Sequence, residues 1–466
     1  MRKICTLALA ALLAAVFTAP AMADNHDKKW ELTSDIRTRF EVSENITDLE
    51  DEDSPGDNDN LSFGTYRAQL RLDASLAKNV MGTVELQAFG VWGEDDTPGR
   101  THGDSIGQVQ SDSEISDEST TNKTEIYQLI ISLMDLGGSG IDLHIGRQEH
   151  EIGNELHVGN LDYYNGTVYD GARGMWSNDN VSVDAFHYWI EEQDIEAEDF
   201  DDIDINGGDD DVTFCGVNVD INFADNTQSI SPYALYLRDG QEGGDRIDLY
   251  TIGALWTRSE ETAVANGELI DWSLEAAVQS GDIDPDGADL SLGGMIIEGA
   301  IGFNFGEEGD RRHRASLNLL MASGDDDNTD DDLDGFFQLA PDTHHDNRLG
   351  DLDLFSGGFT EVGSLVSFGD NFEGMSNVSN INLRYDYTGA SGNNNFYVAL
   401  HQFTLAEDQV SPGSSFDDDD IGTEIDVVYE HMYSENVAFE FGASQFSSGD
   451  FLDEASGFDT DDVTRF

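Results

Sequence analysis

The chain alternates apolar and polar residues in segments of about ten residues, and this alternation recurs along nearly its whole length. One segment places Leu32, Ile36 and Phe40 on one face. Arg37 and Arg39 lie on the opposite face of that segment. After the N-terminal region no apolar run is long enough for a membrane helix, and such a chain can span hydrocarbon only as a closed barrel, because every backbone N–H and C=O needs an internal partner. The pattern predicts an all-β fold, a transmembrane antiparallel β-barrel, with a soluble β-sandwich as the alternative.

About eighteen strands are predicted, the last of them shortened. The candidate strands are Glu31–Ser43, Leu61–Leu76, Val80–Trp92, Lys123–Leu136, Gly140–Gln148, Val168–Trp176, Val181–Ile190, Asp211–Phe223, Ile230–Arg238, Arg246–Thr257, Leu269–Ser280, Gly294–Phe305, His313–Gly324, Asn380–Gly389, Asn394–Leu405, Ile421–Met432, Asn436–Ser447 and Asp461–Phe466. Bacterial barrels favour even numbers, since both chain ends then lie on the periplasmic side. The last segment is shorter than the roughly nine to eleven residues of a span, so either closure is incomplete or the protein continues past Phe466.

The connections carry most of an unusual net charge of −74, which comes from 96 Asp and Glu against 22 Lys and Arg. Long connections such as 43–60, 191–211 and 325–334 are acidic and alternate with short turns. Acidic runs of this kind cannot bury area and are typical of solvated loops. The sequence therefore predicts long acidic extracellular loops. It excludes nucleic acid as a partner, because phosphate binding needs clustered Lys and Arg.

The N-terminus has the form of an export signal. Two basic residues precede an apolar run over 4–18, and a small-x-small cleavage site follows at 21–23. We expect residues 1–23 to be a signal peptide and residues 24–466 to form a single barrel domain in the bacterial outer membrane. Cys215 is the only cysteine of that mature chain, so an intrachain disulfide is not possible.

Two stretches contain residue patterns that the alternation of a β-barrel alone does not require. The first comprises Gly146-Arg147-Gln148, Gly153, Gly159, Asn165 and Tyr169-Asp170-Gly171-Ala172-Arg173. The second comprises Ser323-Gly324-Asp325, Phe336-Phe337, Leu339-Ala340-Pro341, His344-His345 and Gly350. Together they resemble the alginate export family of eighteen-stranded outer-membrane porins. The resemblance implies a passive conduit whose lumen is partly filled by inward-folded loops and whose selectivity comes from charges at the constriction.

The chain departs from the arginine-rich constriction that the resemblance implies for exporters of acidic polysaccharide. Glu155-Leu156 stands where the family commonly shows Arg-Leu, and Thr167 stands where it shows Arg, whereas Arg147 and Arg173 match. A pore that passes a polyuronate needs a positive ring to offset desolvation. The favoured prediction is therefore passive diffusion of small neutral or cationic solutes. Export of an alginate-like polysaccharide and a surface-exposed calcium-binding or adhesive barrel remain the alternatives.

Strand parity, together with the two matching arginines, predicts the charged residues that line the pore and set its selectivity. These are Arg37, Arg39, Arg67, Arg71, Glu85, Arg147, Arg173, Arg384, Asp386, Glu424 and Asp426. Basic and acidic walls that face each other would create a transverse field. The alternative is a ladder of cross-strand salt bridges that fills the barrel.

Three loops contain Asp-x-Asp-x-Asp/Asn-Gly, whose alternate oxygens suit a hard cation such as Ca²⁺. The candidate ligands are Asp202, Asp204, Asn206, Asp282, Asp284, Asp286, Asp330, Asp332 and Asp334. An EF-hand is not supported because the twelfth positions are not Glu, and simple solvated acidity is the favoured explanation of these runs.

The His344-His345 pair has no further His or Cys nearby to complete a zinc site. Neither GxSxG nor HExxH occurs, so the sequence predicts no enzyme and no required cofactor, with Ca²⁺ possible. Membrane lipid and small solutes or ions are the expected partners, a polysaccharide is a further candidate, and the oligomeric state is open.

Overall fold

The chain forms a closed barrel of eighteen antiparallel strands in a computed structural model. The described residues are 30–45, 61–92, 123–160, 163, 166–191, 212–240, 246–284, 290–308, 311–325, 330–352, 354, 375–407, 409–411, 414–416, 418–456 and 460–466. The predicted signal peptide 1–23 lies outside these residues.

Each strand overlaps one of the eighteen predicted spans, which are thereby confirmed, although several strand ends differ from the prediction by a few residues. They are β1 (Trp30–Glu44), β2 (Leu61–Ala77), β3 (Val80–Val91), β4 (Lys123–Leu133), β5 (Ile141–Gln148), β6 (Tyr169–Ser177), β7 (Val181–Glu191), β8 (Val212–Phe223), β9 (Gln228–Asp239), β10 (Arg246–Arg258), β11 (Ile270–Asp284), β12 (Leu290–Glu308), β13 (Arg311–Ala322), β14 (Val378–Thr388), β15 (Asn394–Leu405), β16 (Asp420–Ser434), β17 (Val437–Ser448) and β18 (Val463–Arg465). Short strands also occur in the connections at Asp332–Leu333, Gln409–Ser411 and Ser414–Ser415.

Each strand pairs antiparallel with the next one along the chain, and the last strand returns to the first. β18 pairs with β1 through Ser43 opposite Arg465 and Glu44 opposite Thr464. Val42 and Phe466 extend this pairing by exchanging backbone hydrogen bonds of 2.9 and 2.8 Å. The ring of strands is therefore closed through the short final strand.

The alternation separates an apolar outer face from an inner face that is largely polar. Ile36 and Phe40 are 74% and 62% exposed on the outside, as expected of side chains that face lipid. Arg67 and Glu85 are buried on the inside. None of the helices found in the described residues is long and apolar enough to cross a membrane.

The connections lie at two ends of the barrel. Those that follow odd-numbered strands are mostly long, and we call their side the long-loop end. Those that follow even-numbered strands define the short-turn end, which carries helix α1 (Glu260–Ala265) and the 3₁₀ turn Leu136–Gly138. Helix α2 (Asp450–Ser456) lies at the long-loop end, between β17 and β18.

Two connections from the long-loop end fold into the lumen. We call residues 149–160 the first lumen loop and residues 330–352, which include the 3₁₀ turn His345–Asn347, the second lumen loop. The two loops pair with each other, because Val158 forms a parallel bridge with Ala340 and the Asp342 N–H donates to the Glu155 carbonyl at 3.0 Å. The barrel interior is therefore partly filled, as the family resemblance implied.

Candidate functional site

An apolar core seats the two lumen loops against the barrel wall. Leu156, Val158 and Phe336 are completely buried, and Phe337 is nearly so. On the wall, Leu249 belongs to the same buried cluster. The inward face near the long-loop end is therefore apolar rather than charged, because it packs against loop side chains instead of water.

Polar contacts fix the second lumen loop in register with the wall. The Gln279 side chain on β11 donates to the Phe337 carbonyl at 2.6 Å and accepts from the Phe337 N–H at 2.8 Å. In the first lumen loop, burial lowers the pKa of His157 to about 3. The neutral imidazole accepts a hydrogen bond from the Leu339 N–H at 3.2 Å.

Arg348 makes the central polar contacts that hold the second lumen loop. Its guanidinium donates to both carboxylate oxygens of Glu298 on β12, at 2.6 and 3.1 Å. It also donates to the Asp342 carbonyl at 2.6 Å and to the Asn154 carbonyl in the first lumen loop. One buried cation therefore joins both loops to the wall.

Asn154 holds the first lumen loop to the barrel wall by hydrogen bonds. Its backbone N–H donates to Glu275 on β11 at 2.6 Å, and its side-chain amide donates to Ser273 at 2.8 Å and Glu298 at 3.0 Å. The Tyr233 hydroxyl donates to the other Glu275 oxygen at 2.8 Å. Sequence reasoning missed these loop and wall residues, since the contacts join positions far apart in the chain.

Glu424 and Asp426 point inward as predicted, but the second lumen loop covers them completely. The Leu352 N–H donates to Glu424 at 3.0 Å, and the Asn347 amide donates to Asp426 at 3.0 Å. Asp426 also lies 3.3 Å from the His401 imidazole. These two carboxylates therefore hold the loop and do not face a solute path.

Asp351 lies beside these carboxylates at the end of the second lumen loop. Its side chain accepts a hydrogen bond from the Tyr397 hydroxyl at 2.9 Å, and its carbonyl accepts one from Arg465 at 2.8 Å. Burial, followed by repulsion from Asp426, raises the pKa of Asp351 to about 7. The group therefore changes its charge near neutral pH.

Carboxylates pair with four of the other predicted lumen arginines on β1, β2 and β6. The pairs are Arg39–Glu41 at 3.6 Å, Arg67–Asp35 at 3.7 Å, Arg71–Asp73 at 2.8 Å, Arg71–Glu85 at 3.4 Å and Arg173–Asp184 at 2.7 Å. Arg37, on β1, lies close enough to His344 for its charge to act on that imidazole. These four arginines are therefore accompanied by carboxylates, in some pairs on the same strand and in others on the neighbouring strand.

A stack of three side chains, Arg39, Tyr163 and His344, connects β1 to the second lumen loop. The Tyr163 ring lies 3.6 Å from the His344 ring, centroid to centroid, and the Arg39 guanidinium lies 3.7 Å from the Tyr163 centroid. Burial, and then the charges of Arg39, Arg465 and Arg37, hold the pKa of His344 well below its usual range. His344 is therefore neutral in this setting.

Arg147 is a correction to the predicted lining. It is paired across the ladder with Leu129, and it shares strand parity with Ile145; both of these side chains are about half exposed on the outer face. Arg147 bonds to Asp170 at 2.7 Å, with 43% of its side chain exposed. Alternation along β5 thus directs it outward, near the long-loop end, where charged groups are tolerated at an interface.

A cavity of about 330 Å³ remains in the lumen beside Asp346 of the second lumen loop. Arg312, Arg314 and Arg384 line it together with five carboxylates, those of Glu260, Asp346, Asp386, Glu430 and Glu440. The arginines are held by Glu260 at 3.6 Å, Asp271 at 2.7 Å and Asp386 at 2.7 Å, respectively. Arg384 and Asp386 were predicted as lining residues. Arg312 and Arg314 were missed, although the alternating basic residues at the start of β13 are a signal that could have found them.

The predicted calcium ligands are only partly described. Asp202, Asp204, Asn206 and Asp286 lie outside the described residues, as does the side chain of Asp284. Asp282, Asp330 and Asp332 are exposed, and the last two form a local turn in which the Asp332 N–H donates to Asp330 at 2.9 Å. Asp334 accepts a hydrogen bond at its carbonyl from Ser323 at 2.6 Å. A calcium role for these residues stays a prediction.

The alginate export family model matches residues 31–466 of the chain. No curated protein matches the chain. Among solved structures, Pseudomonas aeruginosa OccK9 (OpdG) is similar with a TM-score of 0.53 and 12% identity, over 94% of this chain and 96% of that one. OccK11 (OpdR) of that organism gives 0.52 and 10%, over 94% of each chain. OpdK with vanillate, also from that organism, gives 0.51 and 12%, over 94% and 96%.

At such identities the likeness to these outer-membrane porins concerns the fold. The family match is stronger evidence, because it covers nearly the whole chain, including both lumen loops. Family and fold are those of outer-membrane channels and not of enzymes. The chain belongs to the alginate export family.

Proposed function

We propose that the protein is a passive outer-membrane channel for small solutes that are neutral or cationic. The observation that supports this most directly is the compensation of the lumen arginines by carboxylates. Arg71, Arg173, Arg314 and Arg384 each lie within hydrogen-bond distance of an Asp. A guanidinium that is already paired offers little net attraction to a passing anion.

The composition of the lumen cavity agrees with this proposal. Five carboxylates outnumber three guanidinium groups around it. A cavity with a negative balance raises the local concentration of cations and lowers that of anions. Its volume of about 330 Å³ suits one small solute at a time.

Export of an acidic polysaccharide is the second candidate, and one observation favours it. Arg312, Arg314 and Arg384 converge on the same cavity from β13 and β14. If the carboxylate of a sugar displaced the carboxylates paired with these arginines, the three guanidinium groups would form a positively charged binding position for the polysaccharide in the lumen. One structural neighbour, the barrel OpdK, was solved with vanillate, so carboxylate-bearing solutes belong in the test.

The test is the reversal potential of purified protein in a planar bilayer under a salt gradient. We expect selectivity for cations and no block by added polyuronate. Liposome swelling with neutral sugars then measures passage of uncharged solutes. Anion selectivity, or conductance blocked by polyuronate at low concentration, would favour the polysaccharide candidate instead.

A further inference from the structure

The interface between the two lumen loops contains a group of potential metal ligands. Glu155 comes from the first loop, and Asp342 and His345 come from the second. One potential ligand atom from each residue lies within 4.8 Å of the others. Among the described residues, this is the group of His, Cys, Asp and Glu side chains that meets such a spacing.

The backbone holds both carboxylates in place. The Asn160 N–H donates to Glu155 Oε2 at 3.1 Å, and the His344 N–H donates to Asp342 Oδ1 at 2.9 Å. Glu155 Oε1 then faces His345 Nδ1 at 3.0 Å. The orientation of both carboxylates is therefore fixed, and Glu155 Oε1 lies beside the imidazole nitrogen with which it would share the ion.

The group of Glu155, Asp342 and His345 is closely packed against Gly159. A Cβ added at Gly159 would lie 2.9 Å from Glu155 Oε2 and 2.9 Å from the Asp342 backbone nitrogen. A side chain at Gly159 would therefore push the two ligand-bearing segments apart. Glu151 adds a third carboxylate whose charge interacts with those of Glu155, Asp342 and His345.

We infer that Glu155, Asp342 and His345 form a divalent metal site that fastens the two lumen loops to each other, with Zn²⁺ as the fitting ion. One imidazole and two carboxylates are ligands that Zn²⁺ accepts, and three protein ligands leave a fourth position for water. Ca²⁺ fits less well, because it requires six to eight oxygen ligands. In a tetrahedral zinc site the ligand atoms lie about 3.4 Å apart, so the loops need to close only slightly.

The site would act on the channel through its loops. Arg348 carries the nearby positive charge and is already held by Glu298 at 2.6 Å. A bound ion would add a further cross-link between the loops, beside the backbone bond from Asp342 to Glu155 and the Arg348 contact with Asn154. Metal occupancy should therefore suppress loop movement in the lumen, whichever solute passes through the pore.

Direct metal binding tests the inference without any transport assay. Detergent-purified full-length protein is stripped with chelator, and Zn²⁺ is titrated by calorimetry, with bound Mn²⁺ followed by electron paramagnetic resonance as a competing probe. We expect one strong Zn²⁺ site per chain and a loss of affinity of at least about tenfold in Glu155→Gln, Asp342→Asn and His345→Gln. The matched control is Asp225→Asn, which removes an exposed carboxylate from a turn at the short-turn end.

A second measurement keeps the test valid if one variant folds poorly. Hydrogen exchange of the wild-type protein should slow in residues 151–160 and 338–348 when Zn²⁺ is added, while the wall strands stay unchanged. Equal Zn²⁺ affinity in the three variants and the control would overturn the inference, as would absence of saturable binding. Neither result bears on ion selectivity, so the proposed channel function is tested separately.

Discussion

Arg348 and Glu298 form a two-point ion pair inside the barrel, with N–O distances of 2.6 and 3.1 Å. The arginine belongs to the second lumen loop and the glutamate to the wall. Bidentate pairs between arginine and carboxylate are strong and fix geometry. Because Arg348 also donates to the carbonyls of Asn154 and Asp342, this pair anchors both loops to the wall.

Replacing Arg348 with Met should release the second lumen loop. The substitution leaves Glu298 as an uncompensated charge, which typically costs about 3–5 kcal/mol. We expect faster hydrogen exchange in the second lumen loop and a larger, noisier single-channel conductance. Arg147→Met is the control, because breaking that exposed pair should cost only about 0–1 kcal/mol. Equal exchange in the two variants would show that the pair does not hold the loop.

Replacing Phe336 with Ala should weaken the docking of the same loop through lost packing. Phe336 is completely buried against the wall, and truncating a buried Phe costs about 3–5 kcal/mol. The expected result is increased protease sensitivity of the second lumen loop while the barrel keeps its heat-modifiable mobility in gels. Leu354→Ala, a partly buried neighbour of the core, provides a milder comparison. Unchanged protease sensitivity in Phe336→Ala would contradict the prediction.

Replacing Arg37, Arg39, Arg67 and Arg71 together with Gln should shift the channel further towards cations. These residues lie on β1 and β2, where Arg67, Arg71 and Arg39 are paired with carboxylates. Removing the guanidinium groups leaves the carboxylates of the pairs unbalanced and makes the lumen more negative. The reversal potential under a salt gradient measures the shift.

Arg147→Gln is the matched control for this experiment. Its side chain is directed outward, so the reversal potential should stay unchanged. A shift as large as that of the fourfold variant would place Arg147 in the solute path. An unchanged potential in the fourfold variant would mean that these arginines do not control selectivity.

The sequence predicts the wall well because one local rule acts on every strand. Ile36 faces lipid and Arg67 faces the lumen, and strand parity alone separates such residues. The same rule gives no direct information on what lies against the inner face. Ile247 and Leu249 point inward and are buried, yet their pattern is that of any alternating strand. The apolar core under the loops is therefore evident only from the structure.

The loop contacts could not be predicted for a different reason. Arg348 meets Glu298 across 50 positions of sequence and Asn154 across 194, and irregular loops carry no periodicity that would indicate a partner. Arg147 shows the limit of motif matching, since its place in the motif is matched but its strand parity directs it outward. Glu155 was singled out as a departure from the family, but only folding brings it to Asp342 and His345.

Ion selectivity should depend on pH through Asp351. The groups that face it from neighbouring elements are Arg384 on β14, Tyr397 on β15, Asp426 on β16, Glu440 on β17 and Arg465 on β18. Burial and then Asp426 raise the pKa of Asp351 to about 7, from a usual value near 3.9. The folded protein therefore binds a proton here that the unfolded chain has released, so this group's contribution to stability declines as pH rises from about 4 to about 7.

Above pH 7 the carboxylate of Asp351 is charged, and the lumen beside the second lumen loop becomes more negative. We expect the ratio of cation to anion permeability to increase between pH 5.5 and pH 8.5, measured as reversal potential under a fixed salt gradient. In Asp351→Asn the increase should be reduced or lost, because the amide keeps the Tyr397 contact but does not titrate. Asp225→Asn, at an exposed turn, should retain the wild-type pH profile. If wild type and Asp351→Asn gave the same profile, the pH dependence would have to come from other groups.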